Sequence, residues 1–136
     1  MNILLNNDNS STPKVKITDF GLAAKIGDNC LTTKVVGTCG FMAPEVISGE
    51  ASDYKADVWG LASILYALIC GEVPFAATSL EETLQKTVTL PLTFEGEAWE
   101  QTSQECKDLL TAMMEKDQSA RMSLNEVFEH EWVTQR

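Results

Sequence analysis

Basic residues are scarce in this chain. Its 136 residues hold 10 Lys plus Arg against 20 Asp plus Glu, for a formal net charge of −10. A surface of that sign repels phosphate backbones and anionic lipid heads, and no Lys/Arg cluster overrides it. The expected partners are therefore neither nucleic acid nor membrane. Histidine is nearly absent. His130 is far in sequence from Cys30, Cys39, Cys70 and Cys106, and no two cysteines form a Cys-x-x-Cys pair. A zinc site is not expected from that pattern. Scattered thiols point instead to a reducing, intracellular compartment, and a cytoplasmic location is expected. Long apolar runs are also missing. The longest, residues 58–70, is too short to span a bilayer. Residues 1–11 lack the basic and apolar regions of a signal peptide.

What is present is ordinary globular composition, 44% hydrophobic and 22% charged, on a length that suits one domain. Ile3, Leu4 and Leu5 form a short apolar run, followed by a stretch dense in turn formers, residues 6–13. Val15 and Ile17 then alternate with Lys14, Lys16 and Thr18. This predicts two strands joined in a hairpin. Residues 20–42 have little periodicity and carry Gly21, Gly27, Gly37 and Gly40, which predicts an ordered loop. Residues 57–70 are apolar on nearly every face and predict a buried central helix, capped by Gly71 and stopped by Pro74. Three capping boxes head the helices expected after it: Ser79 with Glu82, Thr102 with Glu105, and Ser123 with Glu126. Leu84 and Val88 continue the first helix, Leu109, Leu110, Met113 and Met114 the second, and Val127, Phe128 and Trp132 the third. Residues 90–100 read as a connecting loop. The fold class is mainly α, with a short β-hairpin at the start.

Asp19-Phe20-Gly21 follows the second strand directly. A carboxylate at a strand end, on a glycine-hinged loop, can ligate a hard cation such as Mg²⁺. The triplet by itself also suits an ordinary turn. Further on come Gly37-Thr38 and Ala43-Pro44-Glu45, then Asp57-Val58-Trp59-Gly60 at the head of the apolar helix. Gly71-x-x-Pro74-Phe75 ends that helix, Arg121 precedes the last one, and His130-Glu131-Trp132 closes the series.

This order resembles the large, C-terminal lobe of protein kinases across essentially all of residues 1–136. The run 37–41 and the terminal pattern are most similar to the calcium/calmodulin-dependent kinase group. The resemblance implies a hairpin, an activation segment, and a helical bundle around a buried central helix. It implies ATP and Mg²⁺ as cofactors and phosphoryl transfer to Ser or Thr of a protein substrate. Asn2 resembles the metal-binding Asn that ends the catalytic loop, and Asp19 the Asp that bridges Mg²⁺ to the phosphates. Thr38 resembles the threonine set against the catalytic Asp. The activation segment then runs from Asp19, Phe20 and Gly21 through Thr32 and Thr33, the candidate phosphate acceptors, and Thr38 to Ala43, Pro44 and Glu45. Glu45 and Arg121 resemble the ion pair that pins this segment to the lobe. Asp57 resembles the helix-head Asp that holds the catalytic loop in place.

The departures matter as much. The glycine-rich loop, the ATP-positioning Lys with its Glu partner, and the His-Arg-Asp base with the catalytic-loop Lys find no match in these residues. The small lobe is likewise expected to lie outside them. Met1 and Ala67 stand where kinases that prefer basic substrates often carry Glu. Two functions follow as expectations. One is a fragment of a serine/threonine kinase, inactive as an isolated chain, partnered by a protein substrate or by the missing kinase half. The alternative is a non-catalytic, kinase-like module that docks other proteins. Asp57 is expected to be reached by water or bonded only to its own helix turn.

Overall fold

The computed structural model describes residues 2–6, 14–25 and 35–135. Thr32 and Thr33, the candidate phosphate acceptors, and Cys30 lie outside them. The predicted hairpin forms from β1 (Ile3–Asn6) and β2 (Lys14–Ile17). The strands are antiparallel, with Ile3 opposite Ile17 and Asn6 opposite Lys14. Alternation of apolar and charged residues normally gives one face to a core. Here Leu4, Leu5, Val15 and Ile17 are all exposed, Ile17 at 68%.

The polypeptide then becomes helical. A single turn, α1 (Pro44–Ile47), was hidden from the periodicity by its brevity. Pro44 suits its first position, because that N–H has no partner inside a helix. Next is α2 (Lys55–Cys70), two residues longer at its head than predicted. Asp53 explains the extension: its Oδ1 accepts the Lys55 N–H at 2.7 Å, which satisfies a free donor of the first turn. Gly71 closes α2 in a left-handed conformation, φ 84°, with its N–H on the Ala67 carbonyl. The helix is buried along Val58, Trp59, Ala62 and Ser63. It is not buried all round, since Leu61 and Leu68 are exposed, Leu68 at 78%.

The remaining helices are α3 (Leu80–Thr89), α4 (Glu97–Glu100), α5 (Gln104–Met113), α6 (Leu124–Glu129) and α7 (Glu131–Thr134). The three predicted capping boxes meet different fates. Ser123 and Glu126 form the full reciprocal box at the head of α6. Ser79 caps α3 by accepting the Glu82 N–H, but the Glu82 carboxylate goes to Thr78 and Lys86 instead of reaching back. Thr102 is not a cap at all. Its hydroxyl donates to the Ala98 carbonyl of the short α4, and Ser103 caps α5 in its place. The predicted final helix is broken at His130, whose extended backbone ends α6 and whose Nδ1 accepts the Trp132 N–H to start α7.

The core lies between α2 and α5, with Trp59, Ala62, Trp99, Leu109, Leu110 and Met113 all at or below 1% exposure. Burying apolar side chains of this size contributes ~1.5–3 kcal/mol each. Among the described residues no helix is long and apolar enough to cross a membrane.

Candidate functional site

The hairpin register brings Asn2 and Asp19 to one end. The Thr18 N–H donates to the Asn2 carbonyl at 2.8 Å, and the Thr18 hydroxyl reaches the same oxygen at 3.4 Å. Asp19 is the next residue. Its φ of 65° is a left-handed conformation that non-glycine residues rarely adopt, and Asp is among the few that tolerate it. One stabilising contact is local: its Oδ1 accepts the Gly21 N–H at 3.4 Å. A Cβ at Gly21 would sit 3.3 Å from that oxygen, so glycine allows the carboxylate to fold back over the turn. Asn2, Asp19 and Phe20 are all exposed.

An amide oxygen and a carboxylate are hard donors that suit Mg²⁺, and two such protein ligands leave its other positions for phosphate and water. The donor set at this end of the hairpin therefore fits the cation. It is not a dedicated cage. Among the described residues no group of three or more His, Cys, Asp or Glu side chains is placed to hold a metal.

The second cluster is buried. Residues 38–41 make a turn closed by the Phe41 N–H on the Thr38 carbonyl. Thr38 itself is exposed. Gly40, at φ 89°, lies against Val73, where a Cβ would come within 2.9 Å of a methyl carbon. Only glycine lets this turn dock on the α2–α3 connection. Ala43 is then buried and Glu45 enters the interior at 5% exposure. There Arg121, 76 residues further on, meets it in a two-pronged fork, Nη1 to Oε1 at 2.6 Å and Nη2 to Oε2 at 2.7 Å. Burying two charges is unfavourable unless their remaining donors and acceptors are satisfied. Arg121 meets that condition, because Nη1 also reaches the Lys55 carbonyl and Nε the Glu115 carbonyl. The fork thus ties α1 to the head of α2 and to the loop before α6.

Lys116 completes this cluster, and sequence reasoning missed it. Its Nζ donates to the Thr87 carbonyl near the end of α3. It lies 3.8 Å from the Phe75 ring centroid and 5.0 Å from that of Trp59. Arg121 is 5.1 Å from the same Trp59 ring. Burial pushes the Lys116 ammonium down to about 8, and the Arg121 charge acts in the same direction. No local pattern marks such a residue, since its partners come from three separate parts of the sequence.

Asp57 is exposed in the first turn of α2, where the free N–H groups favour an anion. No hydrogen bond from outside that turn reaches its carboxylate among the described residues. Nor does any hydrogen bond or ion pair join Asn2 or Asp19 to Thr38, Glu45, Asp57 or Arg121. The site residues read from sequence therefore fall into two groups, an exposed pair at the hairpin end and a buried anchor among the helices.

Comparison with known proteins gives these groups a context. The family model described as the protein kinase domain matches residues 1–133. Death-associated protein kinase 2 from Mus musculus is 34% identical over 133 residues, covering 98% of this chain and 36% of that protein. Serine/threonine-protein kinase PEPKR2 from Arabidopsis thaliana is 36% identical over 132 residues, 97% of this chain and 27% of its own length. Calcium-dependent protein kinase 22 from Oryza sativa subsp. japonica is 36% identical over 132 residues, 97% of this chain and 22% of its own. The chain thus spans about a third or less of these relatives.

Proposed function

The chain belongs to the protein kinase domain family, and on that premise we propose that residues 1–136 are the large-lobe part of an ATP-dependent serine/threonine protein kinase. The reading is carried by the buried Glu45–Arg121 fork, which fixes the end of an activation segment to the helices across 76 residues. A solvated surface pair would not be held at 5% exposure or less on both sides. In this reading Asn2 and Asp19 would hold Mg²⁺, which when bound would supply positive charge to neutralise that developing on the transferred phosphoryl group. The exposed Thr38 turn faces the protein substrate, and Gly40 holds that turn to the scaffold. A reducing, intracellular setting goes with the free thiols of Cys39, Cys70 and Cys106.

The family's His-Arg-Asp base and ATP-positioning lysine have no match within these 136 residues. Phosphoryl transfer relies on positioning and charge stabilisation, so the chain by itself should transfer no phosphate above background. Adding a separately produced kinase segment with the glycine-rich loop and a His-Arg-Asp motif should raise transfer, and Asp19→Ala should abolish the gain. Labelled-phosphate transfer by the 136 residues alone, lost in Asp19→Ala, contradicts this. So does an assembled pair that transfers phosphate equally well with Asp19→Ala. An intact Asp19 also argues against the docking-only alternative.

A further inference from the structure

Lys116 has chemistry that neither the hairpin nor the fork uses. Its side chain is half-buried, and among the described residues it forms no ion pair. What surrounds its nitrogen is the Thr87 carbonyl and two aromatic rings, with the Phe75 centroid at 3.8 Å and that of Trp59 at 5.0 Å. The charged groups around it give little support to an ammonium. Arg121 lies 5.1 Å from the same Trp59 ring and disfavours a second cation beside it, while Glu115 acts the other way without offsetting the burial. Glu45 is close to this cluster, but both its oxygens are committed to Arg121. A neutral amine suits such a setting. One N–H serves the Thr87 carbonyl and another the Phe75 ring, which leaves the lone pair uncommitted.

Lys116 also borders an open hollow of about 500 Å³, set between residues 44–51 and residues 116–119, with Val88 of α3 in its wall. That volume falls within the ~300–1,000 Å³ usual for small-molecule sites. Glu50 and Asp117, both exposed, give its lining a negative character. An anionic reagent is repelled there and a neutral one is not.

We propose that Lys116 is a modification site, an amine that takes an acyl group from a neutral thioester entering this hollow. The ammonium first loses a proton to solvent. Burial and the Arg121 charge bring that loss down to about 8, so roughly a tenth of the side chains are neutral at pH 7. The nitrogen then attacks the thioester carbonyl, the C–N bond forms and the C–S bond breaks. The departing sulfur takes up the proton that the nitrogen sheds, leaving an amide and a free thiol. The acyl group has the hollow to occupy, and the positive charge over Phe75 and Trp59 is lost. This step does not depend on phosphoryl transfer.

The test is acetylation of the 136-residue chain by S-acetyl-N-acetylcysteamine, a neutral thioester. Each lysine is followed by peptide mass spectrometry, after hydroxylamine has removed acetyl groups from thiols. At pH 7 Lys116 should be acetylated at least ~10-fold faster than the exposed Lys16, because a desolvated lysine with a lowered pKa is the better nucleophile. Its rate should climb to about pH 8 and then level off. In urea sufficient to unfold the chain, the two rates should converge. Val88→Trp, which narrows the hollow at an exposed helix position, should slow Lys116 several-fold and leave Lys16 unchanged, with the far-UV circular dichroism of the natural chain retained. Equal rates at Lys116 and Lys16 in the folded chain overturn the proposal. So does an advantage of Lys116 that survives unfolding, or a folded Val88→Trp chain whose Lys116 reacts as fast as before.

Discussion

The hairpin and the helical part of this chain contrast in how they are held. Among the helices, Trp59, Trp99 and Leu110 are at or below 1% exposure, and the buried Glu45–Arg121 pair is met by further hydrogen bonds to backbone carbonyls. In the hairpin, Leu5, Val15 and Ile17 are each more than half exposed. Its hydrogen bonds stay within residues 2–23 among those described. A two-stranded hairpin without a packed face is marginal in water. The difference teaches that the Glu45–Arg121 anchor is built into the helices, whereas Asn2 and Asp19, the proposed metal ligands, stand on a weakly supported element. In the proposed kinase, the geometry of Asn2 and Asp19 depends on whatever covers the hairpin.

That contrast can be broken most forcefully at Arg121. Arg121→Ala leaves Glu45 buried without its partner and should destabilise by ~3–5 kcal/mol, read from urea unfolding. Loss of less than ~1 kcal/mol, the range of exposed pairs, would place the fork among ordinary surface contacts. Leu110→Ala should cost ~2–5 kcal/mol by opening a cavity in the core. Its counterpart in the hairpin, Ile17→Ala, should stay within ~0.5 kcal/mol. A large effect at Ile17 would show that the hairpin shares the stability of the helices.

Smaller effects sharpen the picture of the helix ends. Ser103→Ala should destabilise by ~1 kcal/mol because it removes the cap of α5. Thr102→Ala should cost less, since its hydroxyl bonds a carbonyl one turn back instead of capping α5. Reversal of that order would restore Thr102 as the cap.

Lys116 gives a pH-dependent test within the same scaffold. Its pKa falls from 10.5 to about 8 in the fold. Between those values the unfolded chain holds the proton more often than the folded one, so stability gains from this group as pH rises. Against Lys116→Met, the natural protein should therefore gain relative stability from pH 8 to 10.5. The raised Tyr66 phenol is common to both proteins and cancels. A flat difference would mean that the Thr87 carbonyl and the rings of Phe75 and Trp59 fully offset the burial of the charge.

Much of this was legible in the sequence, and the failures have physical causes. The hairpin followed from a short apolar run, Ile3 to Leu5, a turn-rich stretch, and alternation around Val15 and Ile17. The Glu45–Arg121 meeting came from the resemblance alone, because no local pattern relates residues 76 apart. Thr102 and Ser103 are both competent caps, and choosing between them required knowing that α4 ends just before and claims the Thr102 hydroxyl. The break at His130 was hidden because the apolar residues on either side keep helical spacing. The exposed sides of α2 and of the hairpin could not be read at all, since apolar character states what a residue prefers and not what stands beside it. Lys116 has the same difficulty in reverse, a charge whose burial is decided by distant rings.

The contrast between the two regions is tested most directly by amide hydrogen exchange on the 136-residue chain. Amides in the middle of α2 and α5 should open only with global unfolding, and their protection should fall in Arg121→Ala. Those of residues 3–6 and 14–17 should exchange far faster and be indifferent to that substitution. Hairpin amides as protected as those of α2, and weakened in step with them by Arg121→Ala, would contradict the account.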